Sequence, residues 1–133
     1  MKVFISQPMV DKTDEEIKAA RSFAKDCVSM YFPKEDIEVI DSFFKMPQGT
    51  SPICHLGKSI EKLAEADLVY FVRGWNKYRG CSIENTIAKQ YGLIVVEENY
   101  DGDGNVVLSK YEGTTKVQAG YPKRRIKICQ EFQ

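Results

Sequence analysis

No run in the sequence approaches the roughly 20 consecutive apolar residues that a membrane-spanning helix requires, so no membrane span is expected. The chain enters directly into a strand pattern, Lys2-Val3-Phe4-Ile5-Ser6, without the segments of a secretion signal, and a cytoplasmic location is the expectation. Cysteine is scarce and scattered: Cys27, Cys54, Cys81 and Cys129 form no C-x-x-C pair, which argues for reduced thiols and against a zinc site or disulfide framework. Charge of one sign is also lacking. The 19 basic and 19 acidic side chains cancel, so no overall field draws the chain to nucleic acid or an anionic membrane, and any anion site must be local.

What is present suffices for one core: 133 residues with 43% hydrophobic content match a single domain, 1–133, that needs no metal or disulfide staple. After the first strand, Thr13-Asp14-Glu15-Glu16 is a capping box followed by Ile17, Ala20, Ala24, Cys27, Val28 and Tyr31 at helical spacing. Ile37, Val39 and Ile40 predict a second strand ending at Asp41. A loop containing Pro47, Gly49 and Pro52 leads to a second helix through Leu56, Ile60 and Leu63. Asp67 to Val72 is an almost continuous apolar strand, of the kind a parallel sheet covers on both faces. A third helix carrying Ile83, Ile87, Ala88 and Tyr91 precedes a strand over Leu93 to Val96.

This β-α-β-α-β-α-β pattern predicts an α/β, doubly wound parallel sheet, flavodoxin- or Rossmann-like, of order 2-1-3-4. Its ligand crevice should lie at the carboxyl ends of strands one and three, which singles out the loops Ser6 to Asp11 and Arg73 to Gly80. The core is expected over 1–96. Residues 97–133 then form an appended hairpin around Asp101-Gly102-Asp103-Gly104 and a tail with Lys123, Arg124 and Arg125, which is either solvated or reaches a neighbour's site. Asp101, Asp103, Asn105 and Glu112 match positions one, three, five and twelve of a calcium loop. Val106 stands where that loop needs glycine, so the segment reads as a turn, and neither metal nor cofactor is expected.

The segments Val3-Phe4-Ile5-Ser6-Gln7-Pro8-Met9, Ala66 through Trp75, and Gly80-Cys81-Ser82-Ile83-Glu84 with Ala88 resemble the nucleoside 2-deoxyribosyltransferase-like superfamily, most closely its small, often phage-borne members. The resemblance implies a nucleoside or nucleotide ligand, a site completed across a homo-oligomer, and Glu84 as the catalytic nucleophile if the protein is an enzyme. A carboxylate there can stabilise or trap the positive charge that builds on the sugar as an N-glycosidic bond breaks. The accompanying acids of those enzymes correspond here to Tyr78 and Ser59, and Gly74-Trp75 is followed by Asn76 where many small relatives have glutamate.

The expected ligand-binding residues are Ser6, Gln7, Pro8, Met9, Asp41, Arg73, Gly74, Trp75, Arg79, Gly80, Ser82 and Glu84. Several of them have a plainer reading. Glu84 would cap the first turn of helix three; Arg73, Lys77 and Arg79 would be surface charges instead of a phosphate site; and Trp75 would roof the core instead of stacking on a base. Ser6 and Gln7 suit a base edge or ribose but also ordinary turns, and Asp41 is a weak candidate for ribose hydroxyls. His55, the single histidine, reads as a helix-start residue more readily than as a base. The first function expected is therefore a binder of a nucleotide or ADP-ribose-like molecule, in the manner of a phage sponge that sequesters a host immune signal in anti-defence. The alternative is an N-glycosidase or 2-deoxyribosyltransferase. An adaptor using the basic tail stands third, and nucleic acid is not an expected partner.

Overall fold

The computed structural model describes residues 1–42 and 46–123. Arg124, Arg125 and Cys129 lie outside the described residues. The elements are β1 (Lys2–Ser6), α1 (Asp14–Tyr31), β2 (Glu38–Val39), α2 (Pro52–Leu63), β3 (Leu68–Phe71), α3 (Arg79–Gln90), β4 (Ile94–Tyr100), β5 (Val106–Glu112) and β6 (Thr115–Gly120). They form one six-stranded sheet of order β2-β1-β3-β4-β5-β6. The order of the first four strands is the predicted one, and β1, β2, β3 and β4 pair in parallel.

The strands alternate faces with the period of two that an extended chain imposes. Val3, Ile5, Leu68, Tyr70 and Val96 pack with Phe23, Ala24, Cys27 and Val28 of α1. Phe4, Val69, Phe71 and Val95 pack on the opposite face with Leu63 of α2 and Ala88 of α3. All four residues of β3 are buried, as a strand covered on both sides must be. Helix α1 begins as its capping box predicts: Thr13 Oγ1 accepts from the Glu16 amide at 3.1 Å, and Glu16 Oε1 accepts from the Thr13 amide at 3.1 Å.

The sheet is mixed, not purely parallel, because β5 pairs antiparallel to β4 and β6 to β5. The hairpin after residue 96 therefore extends the sheet; Val106 and Leu108 are both fully buried, and Leu108 joins the core on the α1 side. Strand β4 runs on to Tyr100. Its charged continuation Glu97-Glu98 masks this in the sequence, yet both side chains are buried with partners. Glu98 accepts from Tyr70 Oη at 2.5 Å and from the Arg73 amide at 3.1 Å on one face. Glu97 meets Asn85 Nδ2 at 2.8 Å and Lys89 Nζ at 2.6 Å on the other. The Asp101 segment is the β4–β5 turn, where Asp101 accepts from the amides of Asp103 and Asn105 and from Tyr121 Oη at 2.7 Å.

Candidate functional site

A cleft of about 990 Å³ opens beyond the carboxyl end of β1, on the face of the sheet covered by α2 and α3. The loop after β1, Ser42 beyond β2, the first two turns of α2 and the start of α3 form its walls. Its size lies in the range of small-molecule sites. Pro8, Met9, Val10, Ile53 and Leu56 make much of the wall apolar, and Met9, Val10 and Ile53 stand exposed at its rim.

Glu84 forms the polar floor. It is 5% exposed, and each carboxylate oxygen accepts one serine hydroxyl: Oε1 from Ser6 at 2.8 Å and Oε2 from Ser59 at 2.5 Å. Three elements converge here for simple geometric reasons. Ser6 follows Phe4 by two residues and so points to the same face of β1. Cys81, Glu84, Asn85 and Ala88 are the buried residues of α3 and recur at the spacing of one helical face. Ser59 occupies the equivalent stripe of α2 with Leu56, Ile60 and Leu63.

Burial raises the Glu84 pKa above its ordinary 4.5, while the hydrogen bonds from Ser59 and Ser6 pull it back down. Burial likewise pushes the Cys81 thiol, which also lines the cleft, to about 11, so it is held protonated. At the other end of the cleft, Arg79 and Gly80 open α3. The N-cap residue Tyr78 offers no side-chain hydrogen bond and the first turn contains no acid, so the helix start lacks the side-chain acceptor that Ser51 supplies to α2. Amides at such a start favour an anion.

Of the residues expected from the sequence, Ser6, Gln7, Pro8, Met9, Arg79, Gly80 and Glu84 line this cleft, whereas Asp41, Arg73, Gly74, Trp75 and Ser82 do not. Arg73 turns to the α1 face. Its Nε lies 3.6 Å from the wholly buried Glu98 carboxylate and its guanidinium stacks over Phe23, so burial of Glu98 claims the cation that the loop charge count assigned to phosphate. Trp75 packs against Phe71 at 5.5 Å between ring centroids and joins the core beside α3, which is the roofing role. Gly74 takes a left-handed φ of 85° beside Pro8, a conformation that serves the turn itself. Ser82 Oγ donates to the Asn76 carbonyl at 3.4 Å. Asp41 is exposed, and its charge acts on Arg21.

Two further expectations change in detail. Glu84 is the sixth residue of α3, not part of its first turn, so capping does not explain it. Gln7 borders the cleft, but its amide is engaged by α1: Nε2 donates to the Ile17 carbonyl at 3.3 Å and Oε1 accepts from Arg21 at 3.2 Å. Arg21 also donates to Ser42 at 3.3 Å, tying the ends of β1 and β2 together, and the sequence reading did not find it. His55 lines the cleft from α2. Among the described residues, no group of three or more His, Cys, Asp or Glu side chains is arranged to hold a metal ion, and no helix is long and apolar enough to cross a membrane.

Fold and cleft together define a Rossmann-like α/β domain with a carboxylate-floored cleft beyond its first strand. Residues 1–97 match the family described as a domain of unknown function, DUF4406, and the chain belongs to that family. No curated protein and no solved structure matches it.

Proposed function

We propose that the cleft holds a phosphorylated nucleoside, or an ADP-ribose-like nucleotide, without cleaving it. The observation that carries this reading is the state of Glu84, whose two oxygens are each tied to a serine hydroxyl. It is also the one carboxylate among the described residues that line the cleft. A retained ligand needs a fixed acceptor there; a glycosidic leaving group would need an acid in addition. Arg79 and the first amides of α3 suit the phosphate, and the apolar wall suits a base. Retention of an intact ligand is how a sponge for a nucleotide signal would act, and the resemblance to phage-borne relatives is the support for that role.

The presence of His55 in the same cleft favours one second reading. In it, a Glu84 oxygen forms an ester bond to the anomeric carbon. The N-glycosidic electron pair leaves with the base, which takes its proton from His55, and water or a second base then releases the sugar.

Thermal unfolding with a panel of nucleosides, mononucleotides and ADP-ribose tests the binding claim, since a ligand at a hundredfold its Kd stabilises by about 2.7 kcal/mol. Intact-mass measurement of the same mixtures separates the readings. Unmodified protein stabilised by phosphorylated ligands supports the binder, and a glycosyl adduct that Glu84→Gln abolishes supports the enzyme.

A further inference from the structure

We infer that the floor of the cleft selects a ribosyl group bearing both of its ring hydroxyls over a deoxyribosyl group. This rests on the nucleotide-binding reading above and names the part of the ligand that meets Glu84. Ser6 and Ser59 each spend their only hydroxyl hydrogen on the Glu84 carboxylate. What the trio presents to a ligand is therefore lone pairs alone: one or more on each carboxylate oxygen and those of the two serine oxygens. A phosphate or a carbonyl placed on the trio would meet its acceptors, with the Cys81 thiol beside Ser6 offering no more than a weak donor.

The group that fits is one that donates, and a carboxylate with two oxygens held side by side matches two neighbouring hydroxyls. Depth sharpens the choice, because Ser6 is 3% and Glu84 5% exposed. A ligand that covers these oxygens without supplying a donor leaves a charged acceptor dry, and that is where discrimination against a missing hydroxyl is largest. The floor also orients the ligand. Glu84 lies five residues beyond Arg79 on α3, about 7.5 Å along the axis at the usual helical rise. A sugar with its hydroxyls on Glu84 can thus direct its phosphate towards Arg79 and away from the carboxylate.

The test is isothermal titration of the full chain with the four ribonucleoside 5′-monophosphates and their 2′-deoxy and 3′-deoxy counterparts. Each ribonucleotide that binds should do so about tenfold more tightly, or better, than either deoxy form, the loss expected for one hydrogen bond to a charged group. The ratio should persist in Ser59→Ala, which leaves the carboxylate with one more oxygen free to accept, and should fall towards one in Glu84→Gln, which keeps the volume and puts a donor on the floor. Equal affinity for ribo and deoxy forms, or a preference for deoxy, would overturn the inference while leaving the nucleotide reading in place. If none of these nucleotides binds, and ADP-ribose titrated alongside them does not bind either, both fall.

Discussion

Ser59 and Glu84 are 25 residues apart in sequence, yet the serine hydroxyl donates to the Glu84 carboxylate at 2.5 Å across the gap between α2 and α3. With Ser6 on the other oxygen, the contact joins the sheet to both helices on that face through one buried charge. Burial of a carboxylate in such a place works against stability, and the consequence is measurable.

Because burial raises the folded pKa of Glu84 above 4.5, the folded chain holds that proton more tightly than the unfolded chain does. Its contribution to stability is complete below 4.5 and is lost as pH rises through the raised folded value. Glu84→Gln should therefore match the wild type in acid and gain on it towards neutrality. Chemical denaturation across pH checks this, and a variant that instead loses stability relative to the wild type as pH rises would mean that the serine hydrogen bonds outweigh burial.

Arg73 and Arg79 should separate cleanly, although they sit six residues apart in one loop and helix start. Removing Arg73 strips the cation from Glu98, whose side chain is 0% exposed, and breaking a buried pair in this way costs about 3–5 kcal/mol. Arg79→Ala should leave stability within about 0.5 kcal/mol. It should weaken a phosphorylated ligand by about 1.5–3 kcal/mol. Denaturation and titration of the two variants give the comparison.

The parts of the fold legible in the sequence were those written in local pattern: the capping box at Thr13, the apolar run of β3 and the order of the parallel strands. The extent of β4 was hidden because Glu97 and Glu98 look like solvent-facing charges until their partners Asn85, Lys89, Tyr70 and Arg73 are brought in by the fold. At the cleft, Glu84 was legible by resemblance. Its partner Ser59 had a signal of its own, a polar residue on the apolar stripe of α2. Nothing local distinguished Arg73 from Arg79, since the choice between them is made by which face of the sheet each side chain reaches.

Truncation after Tyr100 should unfold the protein, because it removes two fully buried side chains, Val106 and Leu108, the second of them packed in the core on the α1 side. At about 1.5–3 kcal/mol for each such side chain, the loss approaches the whole stability of an ordinary domain. Circular dichroism and the thermal transition report it directly; a truncated chain with a wild-type transition would show the hairpin to be dispensable.

Alkylation should discriminate among the described cysteines. Cys27 and Cys81 are buried, with thiols pushed to about 11, and Cys54 is exposed at the start of α2. Iodoacetamide on the native protein near pH 8 should modify Cys54 and spare the other two, with all three reacting after denaturation. Peptide mapping gives the result, and rapid native labelling of Cys81 would show that the cleft floor opens.

The most direct measurement on the central claim is recovery of the ligand after prolonged incubation with an equimolar amount of wild-type protein, separated by gel filtration and identified by mass. The account predicts that a phosphorylated nucleoside or ADP-ribose-like nucleotide travels with the protein and is released intact on denaturation. Free base accumulating with time, or no phosphorylated ligand retained at all, would contradict it.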